Sequence, residues 1–123
     1  MRSRMPWWKF WAADFEADTR HLESAELGNH IRLLCFAWRR PDCSIPNDPD
    51  WIKRRLGVDD EQYERDVLPV IREFWTEEGD DLVNDGLRGE YFDAVERSES
   101  SRKAAMIRHH GSNVHALKQK DNL

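Results

Sequence analysis

The sequence is poor in cysteine, with only Cys35 and Cys43 in 123 residues. Two thiols eight positions apart neither build the disulfide framework of a small secreted domain nor match the ligand spacing of a zinc site. Both are expected to be reduced, Cys35 buried on a helix and Cys43 in a loop. No run approaches the roughly 20 consecutive apolar residues that a membrane-spanning helix needs. The basic start, Met1-Arg2-Ser3-Arg4, has no apolar signal region behind it, so the reading is a cytoplasmic chain with no membrane partner. A Gly-rich phosphate loop, a CxxC pair and an HExxH motif are all missing, and there is no internal repeat. Without any such constellation, the expectation is a protein that is not an enzyme, holds no metal and uses no cofactor.

What is abundant is tryptophan and charge. Six Trp residues are a heavy load at this length, since each ring buries a large area. A chain of this size buries a core without staples and forms one domain, with or without a tail. The charge is unevenly spread. Residues 1–96 hold 13 Lys/Arg against 22 Asp/Glu, whereas residues 97–123 hold 6 against 2. The total of −5 therefore hides an acidic domain over 1–96 and a basic C-terminal helical extension and polar tail over 97–123. Such asymmetry points to a tail that meets nucleic acid or another acidic partner.

Along the chain, Trp7, Trp8, Phe10, Trp11 and Phe15 follow no clean period. They read as an extended or single-turn segment covering the core, the competing reading being an exposed platform on which bases stack. Ser24 is the expected N-cap of the first long helix. Leu27, Ile31, Leu34, Cys35 and Trp38 then share one face. Arg39-Arg40 suit its last turn and Pro41 stops it. Ser44-Ile45-Pro46 is a short extended element. Asp48-Pro49 reads as N-cap and first helical residue, opening a short helix that Gly57 ends, with Trp51, Ile52 and Leu56 inside. Asp59 and Gln62 are placed as a capping box for the next helix. Tyr63, Val67, Val70, Ile71 and Phe74 are its inner face, and Pro69 predicts a kink or break near Leu68. A hairpin with a Gly79-containing loop follows. A last helix starts around Asp85–Leu87, with Leu87, Tyr91, Ala94 and Val95 on one face. Ala104 to Ile107 either continue it or form a second short helix, Gly111 ends it, and residues 112–123 read as a polar tail.

This order is helix, short strand, two helices, strand, hairpin loop, strand, helix. It predicts a mainly α fold with a small β-sheet, a winged helix-turn-helix with an added C-terminal helix; the alternative is a plain four-helix arrangement with a decorative hairpin. The link Gly57-Val58-Asp59 has the length of a helix-turn-helix turn.

The segment Trp11, Asp14-Phe15, Asp18-Thr19, Leu22, Ser24, Glu26, Gly28, Leu34, Trp38, Ile45-Pro46 and Asp48 resembles the YdaU-like family of prophage proteins, a domain of unknown function found near phage replication genes. The resemblance covers roughly residues 6–95. His30 departs from it, standing where such proteins often carry tyrosine, and Leu27 occupies a commonly polar place. The resemblance implies a winged-helix fold and a mobile-element origin; the partner expected for such a chain is a replication protein or another phage or host protein. It supplies no activity.

Ordinary winged-helix docking on DNA is at odds with the charges. The third helix carries Asp59, Asp60, Glu61, Glu64, Asp66 and Glu73 against Arg65 and Arg72, and the wing carries Glu77, Glu78, Asp80 and Asp81 with no basic residue. Duplex binding rests on neutralised phosphates, so these surfaces should repel it. Asp60, Glu61, Glu64, Asp66, Glu77, Glu78, Asp80 and Asp81 are instead the candidate protein-docking residues. The candidate nucleic-acid contacts are Arg39, Arg40, Lys53, Arg54 and Arg55 on the body and Arg97, Arg102, Lys103 and Arg108 beyond it, a sequence-independent phosphate contact; their plain alternative is helix solubility and pairing with the acidic body. A metal-nuclease reading of Asp80, Asp81 and Asp85, and a metal reading of His109, His110 and His115, rank below solvated faces. Three functions compete: an accessory protein with acidic body and basic tail, a pure interaction module or inhibitor, and a transcriptional regulator. The sequence does not give the oligomeric state.

Overall fold

Several helices begin at residues whose side chains satisfy exposed backbone N–H groups. The structure is a computed structural model that describes the backbone of residues 5–121 and the side chains of residues 5–108. Its elements are α1 (Ala12–Thr19), α2 (Ser24–Trp38), a 3₁₀ turn (Pro41–Cys43), β1 (Ser44–Pro46), α3 (Pro49–Leu56), α4 (Asp60–Asp66), α5 (Leu68–Phe74), β2 (Thr76–Glu78), β3 (Asp81–Val83) and α6 (Asp85–Asp121). It is mainly helical with one small antiparallel sheet. The chain divides into two compact units. One is Trp7–Tyr91; the other is chiefly α6 from Phe92 onward.

Several expected caps form. The Asp48 carboxylate accepts from the Asp50 N–H at 3.0 Å. At α4, Asp59 Oδ1 accepts from the Gln62 N–H at 2.8 Å while Gln62 Oε1 accepts from the Asp59 N–H at 2.9 Å, a reciprocal box. Gly57 stops α3 at φ +70°, a left-handed conformation that costs glycine no Cβ clash. At α2 the expected N-cap is displaced. Ser24 is the first helical residue and Glu23 is the cap, because Glu26 reaches back to accept from the Glu23 N–H at 2.9 Å. The predicted break near Pro69 is present: Val67 stays in the right-handed helical region but widens to φ −118°, and the distortion there divides α4 from α5.

Two expectations fail. The aromatic stretch is extended only to Trp11, and an eight-residue helix, α1, follows it. Gly111 does not end the last helix, which continues to Asp121 and takes in most of the expected polar tail. A lone interior glycine costs only about 1 kcal/mol, and Ala104, Ala105, Ala116 and Leu117 around it are strong helix formers.

The sheet order is β1-β3-β2, both pairings antiparallel, with Ile45 opposite Leu82 and Glu77 opposite Leu82 on the other side. A two-residue loop joins β2 to β3, and Gly79 takes φ +61° there, as primed hairpin turns require. The short extended element Ser44-Ile45-Pro46 is thus an edge strand on the hairpin. α2 packs on α4, α5 and β1. Leu33, Ile45, Ile52, Val67, Val70 and Leu82 are fully buried, each contributing about 1.5–3 kcal/mol.

Candidate functional site

The basic residues of the body do not act as one patch. Trp51 on α3 gathers two of them: the guanidinium carbon of Arg40 lies 5.4 Å from its ring centroid and that of Arg55 4.9 Å. Arg40 Nε also donates to the Ser44 carbonyl at 2.8 Å, which fixes it against the start of the sheet. Lys53 is occupied locally, its Nζ 2.7 Å from Asp60 and 3.4 Å from Asp50; that contact holds the Asp60 carboxyl below its usual range and raises the Lys53 ammonium. Arg54 donates to the Asp50 carbonyl at 3.3 Å, and Arg39 is exposed at the end of α2. Arg97, Arg102, Lys103 and Arg108 are all exposed on α6. Arg97 and Arg108, eleven residues apart, share a face, while Arg102 and Lys103 lie off it.

The acidic residues divide in the same way. Asp60, Glu61 and Glu64 are exposed on one face of α4, at the i+3 and i+4 spacings that bring side chains together. Asp66 is not with them: it is buried and takes 3.0–3.1 Å bonds from Arg65, so it does not contribute to the acidic surface. In the hairpin, Glu77 accepts from Asn47 at 3.2 Å, Glu78 pairs with Arg88, Asp80 is exposed and Asp81 half-buried. Among the described residues no three His, Cys, Asp or Glu side chains gather as a metal ion would need. His109, His110 and His115 lie outside the described side chains.

Reasoning from sequence did not reveal a cleft of about 350 Å³ between α1, α2 and the first turns of α6. Its walls are the aromatic segment. Trp8 stacks at a tilt on Trp38, with centroids 5.4 Å apart, so part of that segment does cover the core. Trp7, Phe10 and Trp11, however, are 66%, 53% and 60% exposed, so core cover describes only half of it. Phe10 leans on Phe15 at 4.8 Å. Asp14 and Asp18, at i, i+4 on α1, stand on the rim with Glu90 of α6 and Lys9. The indole N–H of Trp11 donates to Glu90 at 3.2 Å, which ties the aromatic wall to the carboxylate across the opening.

His30 of α2 lies at the inner end, 3% exposed. Its ring stacks on Phe74 at 4.6 Å and on Phe15 at 6.0 Å, and Trp75 meets it edge-on. Burial pushes its pKa down to about 4 despite the nearby Glu73, so the imidazole is neutral near neutral pH. Its Nδ1 is buried with no hydrogen-bond partner among the described residues, which is rare and costly for a polar atom. The sequence held one clue: two aromatic residues and two carboxylates interleave at i, i+4 in Trp11, Asp14, Phe15 and Asp18. Phe74, Leu87 and Glu90 complete the cleft from distant positions, which no local pattern reveals.

No described helix is long and apolar enough to cross a membrane. No curated protein matches this chain, and no solved structure does. A family model does match, over residues 6–90, a span running from the aromatic segment through the sheet into the start of α6. By that match the chain belongs to the family described as protein of unknown function (DUF1376).

Proposed function

We propose that this chain is a non-enzymatic, prophage-derived accessory protein linked to DNA replication, in which an acidic winged helix-turn-helix body docks a protein and the basic part of α6 contacts nucleic acid without reading sequence. The observation that carries this reading is the segregation of exposed charge. Asp60, Glu61, Glu64 and Asp80 face solvent on α4 and the hairpin, whereas Arg97, Arg102, Lys103 and Arg108 face solvent on α6. The winged-helix element draws support from the order α2, β1, α3, α4, β2, β3 and from the three-residue link between α3 and α4. The acidic α4 and hairpin oppose the usual groove docking, since each would approach phosphates with carboxylates. The YdaU-like resemblance supports the phage setting and a phage or host replication protein as partner.

The test is fluorescence anisotropy with a labelled duplex of arbitrary sequence across a salt series. Neutralising Arg97, Arg102, Lys103 and Arg108 to glutamine in the full chain should abolish binding at near-physiological salt. Losing any one of them should flatten the salt slope by about 0.9. Undiminished binding by the fourfold variant refutes the nucleic-acid role. Absence of DNA binding by the unmodified protein favours a pure interaction module, for which charge reversal at Glu64 and Asp80 should weaken partner capture.

A further inference from the structure

We infer that the cleft between α1, α2 and the first turns of α6 is a receptor for an arginine side chain carried on a basic segment of a partner protein. Two features of the site converge on a guanidinium. The walls are aromatic faces: Phe10, Trp11 and Phe15 present π-surfaces that attract a cation, and a planar one stacks on them best. The rim is anionic. Asp14, Asp18 and Glu90 stand against a single ammonium, Lys9, and carboxylates are the partners that a guanidinium fork engages with paired N–H bonds.

The same features exclude the other occupants an aromatic slot invites. A nucleotide would stack, but its phosphates would face three carboxylates. A purely apolar side chain would desolvate the rim charges for no return. A lysine ammonium fits the charge but neither stacks as a plane nor forks onto a carboxylate. At about 350 Å³ the cleft lies at the small end of ligand sites, the scale of one long side chain. It uses none of the α4 or hairpin carboxylates, so it is a second surface, independent of the docking face proposed above.

The experiment uses the full chain with ¹⁵N-labelled tryptophan indoles and three end-blocked hexapeptides, of arginine, lysine and citrulline. The Trp11 indole signal should shift saturably with hexa-arginine, at least tenfold more weakly with hexalysine, and not at all with hexacitrulline, which keeps the shape but not the charge. Asp14→Asn with Asp18→Asn should weaken the arginine peptide tenfold or more, as should Phe10→Ala, whereas Phe10→Tyr retains most of the affinity, each read on the same Trp11 signal. Glu64→Gln with Asp80→Asn should leave the Trp11 response unchanged, which separates this cleft from the other acidic surface. Asp14 and Asp18 are exposed, so their double variant folds and carries the test even where a Phe10 variant does not. Equal response to arginine and lysine, indifference to the Asp14/Asp18 change, or a stronger Trp11 shift with adenosine monophosphate than with hexa-arginine overturns the proposal.

Discussion

Protonating His30 should cost the protein stability in a defined pH window. The ring is 3% exposed among Phe15, Phe74 and Trp75, and folding lowers its pKa from 6.5 to about 4. The unfolded chain therefore takes the proton first. The stabilisation from a neutral His30 is fully present above about pH 6.5 and is lost as pH falls toward about 4, below which both states are protonated. Across the whole window a shift of this size corresponds to about 3 kcal/mol, and between about pH 7.5 and about pH 5 to about 2 kcal/mol. Carboxylates begin to titrate at the acid end of this window, so the comparison must isolate the histidine. His30→Phe keeps a flat ring among aromatic neighbours and removes the titration. Urea unfolding at the two pH values should show the wild-type midpoint falling by roughly 1 M more than that of the variant. The absolute stability of the variant does not enter, because only the pH dependence is compared. If both proteins lose the same amount between the two pH values, His30 is not the titrating group and the reasoning fails.

Gly57→Ala should destabilise by about 1 kcal/mol: no atom lies within 4 Å of an added Cβ, so the whole cost comes from the φ of +70°; a variant as stable as wild type in thermal melts would contradict this. The thiols should separate by access. Cys43 is fully buried and pushed up to about 12, while Cys35 is half-buried, so iodoacetamide in native buffer should label Cys35 alone, both thiols reacting in urea; native labelling of Cys43 in mass spectra is the contrary outcome.

How far the sequence could be read depended on whether a feature was local. The Asp59/Gln62 box, the Gly57 stop and the Pro69 break each concern one turn of backbone, and each is present in the structure. The face of α2 was only partly legible. Leu34 and Trp38 are buried as the apolar spacing implies, but so are His30, Leu33 and Ala37, while Ile31 and Cys35 are half-buried. α2 is packed by α4, α5 and β1, so its buried surface is wider than one stripe and includes a histidine that apolar patterning does not count. α1 escaped notice because its short sequence, Ala-Ala-Asp-Phe-Glu-Ala-Asp-Thr, has little apolar periodicity. The cleft depends on Phe74, Leu87 and Glu90 meeting residues some sixty to eighty positions earlier, and such meetings follow from tertiary packing.

The three-stranded sheet also bears on self-association. An open sheet of three strands has two edges, and an unpaired edge is a template for a neighbouring chain's backbone. At one side β1 is largely buried under α2 and ends in Pro46, which has no N–H to offer. At the other side β2 is exposed along its whole length, yet it is only three residues long and reads Thr-Glu-Glu. Glu77 and Glu78 on one copy would meet their own counterparts on another, so like charge keeps the strand from recruiting a second sheet. The hairpin carboxylates thus oppose edge-to-edge aggregation whether or not they ever meet a partner, and replacing both with valine would create the short, uncharged, β-favouring segment from which such assembly starts.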